Sequence, residues 1–201
     1  MKVVTAITSF FLFCALVPCK AESESCLASI CEFTFVITES RSMTFSTKDG
    51  QNAYDVQLGV DGTLKLAPNR FRVQTPNISV IPAEVHTVDG SGQRKIILIN
   101  GQLPGPTLEV MEGAEVAIKV VNELEKEGLT IHWHGIHMRN NVWMDGVPYV
   151  TQCPILPKQS FTYRFIADPP GTHWYHSHNE LTKDRRAFWS INRSQIKRNA
   201  I

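Results

Sequence analysis

Charge of one sign and long apolar runs are both scarce in this sequence. Its 20 Lys and Arg stand against 19 Asp and Glu, a formal net charge of +1, so no basic field is present to recruit a nucleic acid or an anionic membrane as partner. After residue 21 no segment is long and apolar enough to span a bilayer, which leaves no membrane partner. No heptad, internal repeat or long amphipathic helix emerges, which argues against coiled-coil and solenoid folds. What is present is a hydrophobic fraction of 43% in 201 residues, enough for one domain of ordinary size with extensions and too much for a disordered or fibrous chain.

The first 21 residues, MKVVTAITSFFLFCALVPCKA, join a basic start to an apolar run from Val3 to Val17 and a small-x-small site at Cys19-Lys20-Ala21, and read as a secretory signal. Thr5, Thr8, Ser9 and Pro18 interrupt or end the run, which is short for a membrane anchor. Cleavage there removes Lys2, Lys20, Cys14 and Cys19, leaving a net charge of about −1 and an odd number of cysteines. Cys26 and Cys31 are close enough to pair locally. Cys153 is then left over, with its partner outside this chain. The sequons Asn77-Ile78-Ser79 and Asn192-Arg193-Ser194 suit a glycosylated extracellular surface.

The organisation expected from composition is a signal over 1–21, an N-terminal extension over 22–77, a main domain over 78–193 and a polar, basic tail over 194–201 that frays. Within the extension, the run from Cys31 to Thr38 is aromatic and β-branched and predicts a strand. Glu39 to Asn77 is weaker, with turn signals at Lys48-Asp49-Gly50 and Val60-Asp61-Gly62 around short patches such as Tyr54 to Leu58. From Ile78 onward, SVIPAEVHTV, KIILING, TLEVMEG, EVAIKVVN, LTIHWHG, SFTYRFIA and THWYHSH follow at short spacings divided by Gly and Pro turns. This pattern predicts an all-β sandwich or barrel.

Four of the seven histidines fall into two units, His132-Trp133-His134 and His176-Ser177-His178. Residues i and i+2 of a strand share a face with Cα atoms roughly 6 to 7 Å apart. Each unit therefore aims two imidazoles one way, and two such strands side by side gather four around one small space. With no Asp, Glu or Cys ligand cluster nearby, copper and zinc are the metals this set suits best. His173 has odd parity relative to His176 and faces away with Tyr175. His137, at odd spacing beyond Gly135, and His86, in a separate predicted strand, read as ordinary histidines. Trp133, Trp174 and Tyr175 can form a dry surround or simply pack the core.

In order and spacing, INGQLPGPTLEVMEGAEVAIKVVN, TIHWHGIHMR, DGVPYVTQCPI and GTHWYHSH resemble the first plastocyanin-like domain of laccases and related multicopper oxidases. The likeness runs from about Val85 to His178, and the aromatic segment after Cys26 and Cys31 looks most similar to the invertebrate laccase-like branch. The resemblance implies a cupredoxin-like Greek-key β-sandwich. It further implies His132 as a ligand of a type 2 copper and His134, His176 and His178 as ligands of a type 3 copper pair, half of the ligands of a trinuclear cluster. In that family the cluster reduces O2 to water with electrons taken from a phenol, amine or metal ion at a type 1 copper. Asp145 matches an acidic residue implicated in proton delivery, and equally suits a turn before Gly146.

Two departures qualify the likeness. A type 1 site needs a thiolate bracketed by histidines, whereas Cys153 is followed by Pro154 and the next histidine is His173. The type 1 site and the opposing histidines of the cluster are thus expected in further cupredoxin domains, one of which, by the resemblance, pairs with Cys153. The isolated chain is expected to be incomplete and inactive as an oxidase. After His178, Arg185 and Arg186 stand where the family has an Asp-Gly turn and Trp189 where it has Gly, which puts the last strand of the domain in question.

Overall fold

The computed structural model describes residues 23–46, 53–61, 63–67, 85–88, 93–178 and 192–197. The signal segment, Asn77, Arg185, Arg186 and Trp189 lie outside the described residues. Among those described, twelve strands follow in chain order: β1 (Ser23–Cys26), β2 (Ile30–Arg41), β3 (Thr44–Ser46), β4 (Ala53–Leu58), β5 (Leu64–Leu66), β6 (Lys95–Ile99), β7 (Thr107–Met111), β8 (Glu115–Asn122), β9 (Ile131–His134), β10 (Ser160–Ile166), β11 (Gly171–Ser177) and β12 (Asn192–Lys197). A five-stranded sheet has the order β1-β7-β12-β11-β9 and a four-stranded sheet the order β10-β8-β2-β6, while β3-β4-β5 form a small third sheet.

Side-chain alternation explains why the two larger sheets face each other. Along β2, Cys31, Phe33, Phe35 and Ile37 are buried while the residues between them are exposed, the period of a strand covered on one face. Phe35 lies 6.2 Å from Trp133 and 5.1 Å from Tyr175, ring centre to ring centre, so β2 meets β9 and β11 across the layer. Trp133 also reaches Tyr163 and Phe165 of β10 at 5.4 and 5.2 Å. Such tilted aromatic contacts each add about 0.5–1.5 kcal/mol to simple area burial. Burial pushes the Tyr163 phenol well above its ordinary pKa, and its uncharged oxygen accepts the Ile131 N–H at 2.9 Å. That bond ties β9 of one sheet to β10 of the other.

Two boundaries expected from composition are corrected. Residues 22–77 are no mere extension, because β1 pairs in parallel with β7, and β2 runs parallel to β8 over Ile30 to Ile37. The tail does not fray from Ser194: β12 lies between β7 and β11 with bonds to both, and Ile196 is buried. Backbone pairing on both edges holds a central strand whatever the polarity of its alternate residues. The final strand is therefore present. His86, expected in a strand, instead sits in the irregular segment 85–88, where its carbonyl accepts the Met43 N–H and burial lowers its pKa. The patch Tyr54 to Leu58 falls within β4, and Phe45, Val56 and Val85 form a small core of their own.

The local cysteine pairing is present: Cys26 and Cys31 are disulfide-bonded, and Cys153 is free and exposed. This bond links β1 in one sheet to β2 in the other. By the chain-entropy relation for a loop this short, its reduction is expected to cost about 2 kcal/mol. The check is the shift in urea midpoint with and without a thiol reductant. No shift would mean that strand pairing alone fixes the N-terminal segment.

Candidate metal centre

β9 and β11 run antiparallel, with His132 opposite His176, Trp133 opposite Tyr175 and His134 opposite Trp174. Directly opposed residues share a face. Trp133 and Tyr175 therefore enter the core, at 3% and 0% exposure, and the histidines take the other side. The His178 N–H bonds the Thr130 carbonyl at 3.1 Å, which carries the register one rung further. The outer face is thus a ladder of three rungs: Thr130 with His178, His132 with His176, and His134 with Trp174.

The rings on this ladder are close. His132 is 5.3 Å from His176 across the rung, 5.5 Å from His134 along its own strand and 5.5 Å from His178 on the diagonal. His176 and His178 are 5.8 Å apart. Ligand nitrogens of His132, His134 and His176 all lie within 4.8 Å of one another, wider than the roughly 3.3 Å between nitrogens bound to one tetrahedral ion at about 2 Å each. The rings must turn inward to share one ion.

Hydrogen bonds fix which nitrogen is available. His132 Nδ1 is 2.7 Å from the Asp145 carbonyl and His176 Nδ1 is 2.9 Å from the Ser177 carbonyl. A carbonyl only accepts, so both Nδ1 atoms carry hydrogen and both Nε2 lone pairs are free for a metal. Burial, with smaller contributions from His132, His178 and His134, lowers the pKa of His176, which favours the neutral ligand form. Among the described residues, His178 Nδ1 is buried without a hydrogen-bond partner. The donor set, its tautomers and this orphan nitrogen fit a bound copper or zinc ion.

Asp145 reaches His132 twice, through its carbonyl and through a carboxylate oxygen 3.4 Å from Nδ1. It closes a short 3-10 turn, Val142–Met144, and is followed by Gly146 at φ +80°. A Cβ on Gly146 would lie 1.8 Å from the Ile131 carbonyl oxygen; only glycine lets the turn come so close to β9.

The histidines set aside by parity stay apart from the ladder. His173 bonds the Pro169 carbonyl through Nε2 at 2.8 Å, and its Nδ1 lies 2.7 Å from where a Cβ on Gly135 would be. His137 pairs with Asp168 at 2.9 Å, and Arg139 shares that carboxylate. Of the two ladder positions that are not histidine, sequence reasoning gave no place to Thr130 and named Trp174 only among three aromatics that surround the site or pack the core. Trp174 stacks on His134 at 4.8 Å and on His176 at 4.2 Å and so walls one end of the site. Their signal was parity combined with register, and register is a property of the paired strands.

A family model described as multicopper oxidase matches residues 81–194, more than half of the chain and all four ladder histidines. The chain belongs to the multicopper oxidase family. It is 53% identical over 90 residues to a multicopper oxidase of Talaromyces pinophilus, covering 45% of this chain and 15% of that protein. To an L-ascorbate oxidase of Brassica rapa subsp. pekinensis it is 43% identical over 96 residues, covering 48% and 17%. A solved multicopper oxidase from Campylobacter jejuni, described as a metallo-oxidase, aligns with TM-score 0.54 and 26% identity over 90% of this chain and 28% of that one. The all-β cupredoxin fold is thereby established, and membership of the multicopper oxidase family implies copper as cofactor. The chain spans less than a fifth of the length of the curated relatives it matches.

Proposed function

We propose that this chain is the N-terminal, cluster-bearing domain of a secreted laccase-like multicopper oxidase. His132 would hold a type 2 copper, and His134, His176 and His178 a type 3 pair, as half of the ligands of a trinuclear site. The observation that carries this reading is the antiparallel ladder, which brings all four imidazoles to one face with at least two Nε2 atoms left free. Copper held there would supply the one-electron chemistry that reduces O2, with four electrons and four protons, to two waters, the electrons coming from a phenol, amine or metal ion. The chain's own residues have simpler tasks. Trp133 and Tyr175 anchor the ligand strands in the core, Trp174 shields one flank from water, and the Asp145 carbonyl orients His132. The part-exposed Asp145 carboxylate can exchange protons with solvent and pass them toward the site. The further cupredoxin domains, including one that pairs with Cys153, belong to the same proposal.

A second reading rests on the tight grouping of His132, His134 and His176, which by itself can hold one ion: a secreted module that binds copper or zinc without turnover. Both readings require the ladder. Copper(II) titration of the purified chain should show binding that weakens at least tenfold in His132→Ala and again in His176→Ala, since even outer-shell partners are worth about 10–100-fold. Unchanged affinity in the double variant would remove both. Oxygen uptake with a phenol separates them: ladder-dependent uptake by the larger protein supports the oxidase, and metal binding with no uptake supports the module.

A further inference from the structure

The one ladder position with no evident task is Thr130. Its side chain is wholly buried, at 0% exposure, and its hydroxyl has no hydrogen-bond partner among the described residues. Directly across the rung, His178 Nδ1 is also buried and also without a partner among the described residues. The His178 N–H to Thr130 carbonyl bond, at 3.1 Å, makes these two residues a hydrogen-bonded pair. In such a pair the two side chains leave the same face of the sheet with Cβ atoms about 5 Å apart. Two complementary orphans so placed are unusual, because a buried polar atom left unsatisfied is costly and the great majority find a partner.

The other three ladder histidines clarify what is missing. His132 and His176 each have Nδ1 tied to a backbone carbonyl, and His134 and His176 are each held from the side by the Trp174 ring. His178 has neither a carbonyl on Nδ1 nor the tryptophan. Without an acceptor its imidazole could populate either neutral tautomer, and one of these places hydrogen on Nε2.

We propose that Thr130 is the positioning residue for His178: one buried water accepts the Nδ1 hydrogen and donates to the Thr130 hydroxyl oxygen, and so leaves Nε2 free as a metal ligand. This rests on the copper-site reading for its purpose, but the pairing itself is a property of the metal-free chain. Thr130 touches no reacting atom and acts only through the ring it orients.

The test is imidazole 15N NMR on the full, metal-free chain at mildly alkaline pH, with Thr130→Val, which keeps the shape but not the hydroxyl, and Thr130→Ser, which restores it. In the parent chain and in T130S, His178 should be predominantly protonated at Nδ1. In T130V the ring should become a mixture of tautomers, and copper(II) affinity should fall about tenfold, with T130S recovering most of it. The His132 signals report whether the ladder is intact in each variant. An unchanged His178 tautomer in T130V would overturn the proposal, as would T130S failing to restore what T130V loses. If the tautomer shifts as expected while the parent chain binds no copper, the pairing stands and the copper-site reading fails.

Discussion

Replacing Gly146 by Ala is expected to lower the unfolding free energy by about 2–5 kcal/mol, and to weaken metal binding in whatever fraction still folds. Two costs combine. At φ +80° an L side chain pays about 1–2 kcal/mol for the left-handed conformation. The added Cβ also falls 1.8 Å from the Ile131 carbonyl oxygen and 2.5 Å from its carbonyl carbon. These are backbone atoms of a paired strand and cannot swing aside, so the overlap is relieved only by moving the Asp145-Gly146 turn or β9, at a further cost of about 1–3 kcal/mol. Gly113 separates the two contributions, since it has nearly the same φ, +81°, with nothing within 4 Å of its Cβ position. Gly113→Ala should therefore cost only the conformational part. Urea midpoints at unchanged m-value measure both, and equal losses at the two glycines would show that the close approach to β9 carries no energy.

The consequence for the site follows from what the turn holds. Moving it back takes the Asp145 carbonyl away from His132 Nδ1, now 2.7 Å distant, and releases the ring tautomer. Loss of such an orienting partner costs about 10–100-fold in metal affinity. The Asp-Gly pair thus serves the geometry of His132 through its backbone, whatever the carboxylate contributes to proton movement.

Much of this architecture was legible from local patterns. Seven segments from Ser79 to His178 and the run from Cys31 to Thr38 carried strand signals, all but one of which became β2, β6, β7, β8, β9, β10 and β11. The exception, the stretch around His86, has no strand in its described part. The parity rule separated His173 from the ladder because period two depends only on strand conformation. The errors share a different cause. β12 was hidden because its sequence is polar and basic, and its conformation comes from β7 and β11 on either side. The role of β1 was hidden for the same reason, its pairing partner β7 lying about eighty residues away. Non-local pairing also explains why Thr130 passed unnoticed. A threonine two residues before a histidine carries no message until the register sets it opposite His178.

Trp133→Ala should be as damaging as the glycine change, by a different route. The indole is 3% exposed and touches Phe35, Tyr163, Phe165 and Tyr175, so truncation removes its transfer free energy and leaves a large cavity between the sheets. Such a change typically costs about 3–5 kcal/mol. It also strikes the site, because Trp133 is the residue between His132 and His134 and its anchoring keeps both rings outward. Trp174→Ala provides the contrast from the opposite face of the same ladder. Trp174 is only half-buried and stacks on His134 and His176 rather than on the core, so its loss should cost about 1–2 kcal/mol of stability while still weakening copper binding. Thermal or urea unfolding paired with copper titration reads both quantities. Similar stability losses in the two variants would mean that the ladder's two faces are not energetically distinct, and that metal binding depends on the fold as a whole rather than on the rings that β9 and β11 present.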